Sequence, residues 1–132
     1  MIDIESLSYT PIAQAVRTQF DADVTGEYVK KPSRFPHVSI VENDNYMTVA
    51  NMDSSSTEKY ATVMYEVNVY SNKTSGKKSE CRAILNLIDG MMYQNNFTRI
   101  AMTPVPNLED ATIYRLTARY RAVTDGTNIY RI

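Results

Sequence analysis

A chain of 132 residues suits one domain, and its 43% hydrophobic and 22% charged residues are ordinary for a globular protein, which excludes intrinsic disorder. A net charge of −1 and the lack of a basic tract exclude binding to nucleic acid or membranes through bulk positive charge. Because Asp3 and Glu5 stand where a signal peptide would be basic, we expect no signal peptide. The single cysteine, Cys81, cannot form an internal disulfide and indicates a reducing compartment.

The N-terminal segment is predicted to form a first helix. Thr10 followed by Pro11 is typical of a helix start, because threonine can cap a free backbone N–H and proline has none to leave unpaired. Apolar residues then recur on one face at four-residue spacing: Ile12, Val16 and Phe20. Ile4 and Leu7 belong either to an earlier turn of the same helix, kinked at Pro11, or to a separate short helix. Residues 21–23 are expected to end the helix.

Two strands and a long polar segment are predicted next. A short strand covers residues 24–29, a loop with two prolines covers 30–36, and a second strand begins at 38–41. Residues 43–59 are polar and irregular, with three consecutive serines. We expect the tip of a long hairpin or a mobile loop there.

Residues 59–71 carry the clearest strand signal in the sequence. Every second position is apolar: Ala61, Val63, Tyr65, Val67 and Val69. The positions between them are Thr62, Met64, Glu66, Asn68 and Tyr70. A period of two with one apolar face predicts a half-buried strand.

After residues 75–78 the hydrophobic period becomes that of a helix. One stripe is apolar: Cys81, Ile84, Leu85, Ile88, Met91 and Met92. The opposite side is predicted to carry Lys78, Arg82, Asn86, Asp89 and Tyr93. A helix with one apolar stripe is expected to pack that stripe on a sheet.

The last third is predicted to be strand again. Residues 97–105 form one strand, 107–110 a turn, and 111–123 a long strand with two distinct faces. One face holds Tyr114, Leu116, Ala118, Tyr120 and Ala122, and the other holds Arg115, Thr117, Arg119 and Arg121. Asp125-Gly126 is a strong hairpin signal, so residues 128–132 should fold back as a short strand.

The predicted order is therefore α-β-β-β-α-β-β. Runs of strands separated by two helices predict the α+β class, with both helices packed on one face of a mostly antiparallel sheet. No composition shift or linker divides the sequence, so residues 1–132 are expected to form a single domain.

Two patterns resemble ligand loops but are incomplete. Residues 76–79 stand where a phosphate-binding loop would be, yet Ser71 replaces the first glycine of that motif and Lys78 replaces its Ser or Thr. Residues 21–26 resemble the start of a calcium loop, whose twelfth position is Pro32 instead of a glutamate. Neither pattern predicts a bound metal or cofactor.

His37 and Cys81 are the only residues of their types and could form a nucleophile pair only if the fold brought them together. Cys81 falls on the apolar stripe of the second helix, where a small core residue is the simpler interpretation. We therefore predict no catalytic residues, and no enzyme.

A candidate surface remains on the strands. Arg115, Arg119 and Arg121 alternate along one strand, and Glu66 lies on another. One interpretation is a solvated sheet face with cross-strand ion pairs, and the other is a subunit interface, where arginine is enriched. A nucleic-acid platform would also use such a face, but it lacks the aromatic pattern of RNA-recognition domains.

Residues 43–59 supply a second candidate contact. Tyr46, Met47, Val49 and Met52 are more apolar than a linker requires. We expect this segment to be mobile in the free chain and ordered as an extended arm on a neighbouring subunit or on another protein of the same assembly. Unpaired sheet edges are further natural places for contacts between subunits.

Several segments together resemble one known protein family. They are residues 1–7 (MIDIESL), 9–15 (YTPIAQA), 35–42 (FPHVSIVE), 63–73 (VMYEVNVYSNK), 76–78 (GKK), 104–108 (PVPNL) and 114–123 (YRLTARYRAV). The series resembles the tail terminator proteins, also called tail completion or head–tail joining proteins, of tailed phages and prophages of Gram-positive bacteria. The predicted order of helices and strands is also similar to that of the terminator of lambda-like phages.

The resemblance implies a structural virion protein with no active site. It implies a hexameric ring on the last ring of the tail tube, which ends tube polymerisation and offers a docking surface to the head connector. The implied partners are further copies of the chain, the tail tube protein and head–tail connector proteins. DNA would only pass through the lumen, and no membrane is involved. The implied location is the tail end or neck of the virion, and the bacterial cytoplasm before assembly.

Two other functions stay open from the sequence. One is a small ligand-binding or enzymatic α+β domain with residues 43–59 as its lid. The other is a nucleic-acid-binding module that uses Arg115, Arg119 and Arg121. A defined ring, a deep pocket with convergent polar groups and salt-dependent DNA binding would each favour one of the three functions.

Overall fold

The computed structural model describes residues 1–29, 32–47, 60–106 and 110–131. The secondary-structure elements are α1 (Glu5–Phe20), β1 (Asp23–Thr25), β2 (His37–Met47), β3 (Ala61–Ser71), α2 (Lys77–Gln94), β4 (Thr98–Val105), β5 (Tyr114–Thr124) and β6 (Ile129–Tyr130). The strands form one sheet in the order β1-β2-β3-β5-β4, and β6 pairs with the end of β5. β1 pairs with β2 in parallel, and the other pairings among the described strands are antiparallel. The predicted α+β class with a mostly antiparallel sheet is confirmed.

Helix α1 begins earlier than the predicted start at Thr10. Its N-cap residue is Ile4, and Pro11 lies inside the helix, so the start predicted at Thr10 is wrong and a single longer helix is right. Proline lacks the N–H that would donate to the carbonyl of Leu7. The side-chain amide of Asn95, which follows α2, donates to that carbonyl instead, at 3.4 Å. A contact from another helix therefore compensates for the proline, which the local sequence could not indicate.

Strand β2 extends further than predicted. Asp44 pairs with Met64 and Met47 with Ala61, so residues 43–47 are strand and not loop, while 48–59 lie outside the described residues. The register shifts between Glu42 and Asp44, because Asn43 forms a β-bulge there. A bulge interrupts the alternation of side chains on which the sequence prediction relied.

Two other strands are shorter than predicted at one end. β1 is shorter than the predicted 24–29, and residues 111–113 precede β5 instead of belonging to it. The predicted turn 107–110 and loop 30–36 lie partly outside the described residues. The closing hairpin is confirmed: Asp125 Oδ1 accepts the backbone N–H groups of Thr127 and Asn128, and β6 follows.

The core lies between the two helices and one face of the sheet. The faces predicted to be apolar on β3, α2 and β5 are confirmed. They contribute Val63, Tyr65, Val67 and Val69 from β3, Cys81, Ile84, Leu85, Ile88 and Met92 from α2, and Leu116, Ala118, Tyr120 and Ala122 from β5. Helix α1 adds Ile12, Ala13 and Val16. These side chains form one continuous cluster, so the helices are held by burial of apolar surface.

Two buried tyrosine hydroxyls are anchored by hydrogen bonds from each helix. The hydroxyls of Tyr65 and Ser8 are 2.9 Å apart, and Tyr120 donates to Asp89 Oδ1 at 2.8 Å. Arg99 donates to the same oxygen of Asp89 at 3.1 Å. Asp89 therefore turns toward the sheet, and its predicted place on the solvent side of α2 is wrong. Burial raises the pKa of both tyrosines, which keeps both hydroxyls protonated.

Candidate interaction surface

The sheet face opposite the helices, called the outer face below, holds most of the candidate residues. Directly paired residues point to the same side of a sheet, so the register places the outer-face side chains in rows. Three rows are Val41-Glu66-Arg119-Ala101, Asp44-Met64-Arg121-Thr98 and Tyr46-Thr62-Val123-Tyr130. The register thus brings Glu66, Arg119, Arg121 and Tyr46 to one face. Met47, which pairs with Ala61, lies on the other face, and Val49 and Met52 lie outside the described residues.

One end of the outer face is covered by the connection after β1. Ser39 Oγ donates to the carbonyl of Glu27 at 2.9 Å, and Tyr70 donates to that of Val29 at 3.3 Å. Asn68 and Tyr70 are consequently buried. The prediction that β3 is buried on one face only is wrong at this end, because the covering segment is distant in sequence.

Arg115 belongs to this covered end. Its Nε donates to Asn68 Oδ1 at 2.9 Å, and its guanidinium lies 5.6 Å from the ring centre of Tyr28 and 5.7 Å from that of Tyr70. Thr117 donates to the same Asn68 oxygen at 2.7 Å. Stacking between two aromatic rings is a geometry that guanidinium groups favour. Arg115 therefore holds the covering segment on the sheet.

Arg119 and Glu66 form the predicted cross-strand ion pair. They face each other directly in the register, and Arg119 Nε donates to Glu66 Oε1 at 3.1 Å. The Arg119 side chain is 53% exposed and that of Glu66 is 18% exposed. A pair this accessible contributes about 0–1 kcal/mol to folding. Its conformation leaves the arginine available to a partner.

The unpaired side-chain nitrogen of Arg121 is a feature of this face that the sequence did not reveal. Arg121 lies between Met64 and Thr98 in its row, and its Nε is buried without a hydrogen-bond partner among the described residues. A buried donor without an acceptor costs about 1–3 kcal/mol. This nitrogen has almost no exposed surface, so a partner's oxygen can accept from it only if the Arg121 side chain turns outward.

The exposed arginine lines a depression on the outer face of about 390 Å³. Its lining includes Glu66, Arg115, Thr117 and Arg119, with Ala101 and Thr103 of the edge strand β4. We call this depression, together with the neighbouring Arg121, the arginine trough. The small side chains of β4 leave space that a partner's side chains can enter.

Other depressions also occur on the described surface. One of about 370 Å³ lies between α2 and β4 and is lined by Arg82, Asn86 and Met102 among others. One of about 520 Å³ lies beside Pro104 and Ile113 and is mostly apolar. No group of three or more His, Cys, Asp or Glu side chains within the described residues could hold a metal ion.

The β4 edge of the sheet offers little to a pairing strand, whereas at the other edge β1 pairs only with residues 37–39 and no described strand lies beside the rest of β2. β1 is only three residues long. β4 contains Pro104, and its register with β5 shifts between Arg99 and Ala101, which places a bulge at Ile100. Bulges, prolines and short strands are the features that blunt edges against further pairing. Contacts with a partner are therefore better supported by the outer face than by the β4 edge.

His37 and Cys81 are not brought together. His37 pairs with Tyr70 on the outer face, and its Nδ1 is 3.1 Å from Asp23 Oδ2. Cys81 is buried on the helix side with its sulfur 3.6 Å from the carbonyl oxygen of Val69. Burial, with a smaller effect of Glu80, raises the pKa of the Cys81 thiol to about 12, so the reactive thiolate is disfavoured.

Three carboxylates form a second charged feature, which the sequence did not reveal and which we call the acidic corner. Asp3 and Glu5 lie at the start of α1, where Asp3 Oδ1 accepts the backbone N–H of Glu5, and Glu42 lies on β2 opposite Tyr65. Burial, followed by the charges of Glu5 and Asp3, raises the pKa of Glu42. None of the three takes part in an ion pair within the described part of the chain.

A scan against protein-family models found no match, and a search of curated proteins found none either. No helix among the described residues is long and apolar enough to cross a membrane.

Proposed function

We propose that this protein is a structural subunit that closes the end of a phage tail tube as a ring of six. The ring would end tube polymerisation and present a docking surface to the head connector, so that the mature location is the tail end or neck of the virion. The sequence resemblance to tail terminator proteins, which extends over almost the whole chain, supports this function. The α+β fold described above is compatible with it.

The observation that carries the proposal is the part of the outer face that no described element covers. Helices protect only one side of the sheet, and beyond the segment over Asn68 the other side carries arginine and tyrosine. Tyr46 and Tyr130, in the last row, are 47% and 43% exposed, and the rings of Tyr130 and Tyr60 pack edge to face at 6.3 Å. Arginine and tyrosine are enriched in protein interfaces and in their energetic centres. A face of this composition supports a function in assembly.

A closed ring requires that each subunit present two different patches to its two neighbours. The outer face supplies one such patch. The remaining surfaces of the ring would contact the tail tube protein on one side and head–tail connector proteins on the other. DNA would pass through the lumen without base-specific contacts.

Complementation of a deletion mutant tests the proposal. Without this protein, tail tubes should grow to uncontrolled lengths in electron micrographs, and the wild-type chain should restore a single length. Arg119→Ala should restore it poorly while leaving the melting of the free subunit nearly unchanged, because the exposed ion pair adds little to folding. The matched control is Arg82→Ala on the exposed side of α2, which should complement fully.

Other outcomes would contradict the proposal or favour a different function. Normal tail length in the deletion mutant would contradict the proposal. If Arg119→Ala complements as well as the wild type, the outer face takes no part in the assembly. If Arg119→Ala instead lowered DNA affinity and flattened its salt dependence, the nucleic-acid alternative would be favoured.

A further inference from the structure

The arginine trough and the acidic corner have opposite charges. Apart from Arg115, which belongs to the covered end, the trough holds Arg119 and Arg121 against the carboxylate of Glu66, a local net charge of +1. Asp44 lies in the same row as Arg121 but two strands away, on β2. The acidic corner holds three carboxylates and no cationic partner within the described part of the chain, a local charge of −3. Each feature therefore carries charge that is not balanced by the described residues of a single subunit. Opposite charges of this kind steer association and fix its register.

The two features lie where neighbours in a ring can use both at once. The trough opens on the outer face above β5 and β4, toward one edge of the sheet. The acidic corner lies on the helix side, where Glu42 of β2 pairs with the core residue Tyr65, toward the other edge. A subunit that inserts its corner into a neighbour's trough leaves its own trough free for the next subunit. This is a head-to-tail contact, the type that generates rings.

We infer that the occupant of the arginine trough is the acidic corner of a second copy of this chain. The inference rests on the proposed ring and specifies its contact between subunits. In that contact the Arg121 side chain would turn outward so that its Nε donates to a carboxylate of the neighbour. Arg119 would leave its exposed pair with Glu66 and join the same network. The acidic corner would gain the cations that it lacks in the free subunit.

Two charge-reversed variants test this contact. Arg119→Glu changes the local charge of the trough from +1 to −1, and the double variant Asp3→Lys with Glu5→Lys changes that of the corner from −3 to +1. Sedimentation velocity at low ionic strength measures the self-association of each variant and of their equimolar mixture. Each variant alone should associate at least about tenfold more weakly than the wild type, because like charges meet.

The mixture should recover to within about threefold of the wild-type association constant. Every contact in it pairs either two native patches or two reversed ones, and the variants can alternate around a ring with an even number of subunits. Melting curves identify a corner variant that folds poorly, and Asp3→Lys alone, at an exposed position, then replaces it only in the measurement of the single variants, because it changes the local charge of the corner from −3 to −1 and cannot pair with the reversed trough. Arg82→Glu, with the same change of charge on α2, should associate like the wild type.

Three results would overturn the inference. They are a mixture as weak as the separate variants, an equal loss in Arg82→Glu, and a wild-type chain that does not self-associate up to about 1 mM. The proposed function fails separately. If tails still end at the correct length while the mixture associates weakly, the proposed function stands and this contact is refuted. If the mixture associates as expected but the protein has no effect on tail length, the contact stands and the proposed function is refuted.

Discussion

Replacing Pro11 by alanine should stabilise the protein. Pro11 lies inside α1, its side chain is exposed, and the carbonyl of Leu7 accepts only a long side-chain hydrogen bond of 3.4 Å from Asn95 in place of the helical one. Alanine is favoured over proline in a helix interior by about 3 kcal/mol. Up to about 1.5 kcal/mol of that is offset if the bond from Asn95 is lost, so we expect a gain of about 1.5–3 kcal/mol.

Urea denaturation followed by circular dichroism measures the gain as a shift of the midpoint at unchanged m-value. Thr10→Ala is the matched control. At a helix start this change would cost about 1 kcal/mol, whereas inside a helix it should be neutral or slightly stabilising. Asn95→Ala should destabilise the wild type more than the Pro11→Ala variant. In that variant the backbone N–H at position 11 donates to the carbonyl of Leu7, so the bond from Asn95 is no longer needed. A loss of stability in both Pro11→Ala and Thr10→Ala would refute the continuous helix.

Three further changes probe the core and the acidic corner. Leu85→Ala, at a position 1% exposed in the core stripe of α2, should lower the free energy of unfolding by about 2–5 kcal/mol, measured by urea denaturation. Tyr120→Phe removes the donor to Asp89 and should cost about 1–2 kcal/mol in the same assay. Glu42→Gln should stabilise the free subunit at pH 7. Burial raises the pKa of Glu42, so the folded state binds its proton more tightly and stability falls as pH rises.

The contradicting results are equally specific. A loss under about 0.5 kcal/mol for Leu85→Ala would mean that another face of α2 packs on the sheet. An unchanged midpoint for Tyr120→Phe would show that Asp89 is served by water. The advantage of Glu42→Gln should disappear below about pH 4.3, where the unfolded carboxyl is protonated too. A gain in stability that persists below this pH, or an equal gain in the exposed control Glu27→Gln, would show that the raised pKa of Glu42 is not the cause.

The parts of the fold that the sequence predicted are those set by regular periodicity. β3, β5 and α2 each repeat one pattern over many residues, and their buried faces were assigned correctly. The errors fall where a local rule is broken by a distant contact or an inserted residue. Pro11 is tolerated because Asn95 serves a carbonyl of the same helix, and Asn43 interrupts the alternation of β2. Neither cause is visible in the neighbouring residues.

The candidate surface was predictable to a similar extent. Alternation placed Arg119 and Glu66 on one face of paired strands, and the structure pairs them. Alternation could not show that the Arg115 guanidinium lies between the rings of Tyr28 and Tyr70. It also could not show that Arg121 Nε lacks a hydrogen-bond partner among the described residues. Those properties depend on how segments that are distant in sequence cross the outer face.

Electron cryo-microscopy of tails that contain this protein tests the central claim most directly. The account predicts a ring of six copies at one end of the tube. In each contact, Arg119 and Arg121 of one copy would meet Asp3, Glu5 or Glu42 of the next. Density for this chain only as an isolated monomer, or away from the end of the tube, would contradict the proposed function.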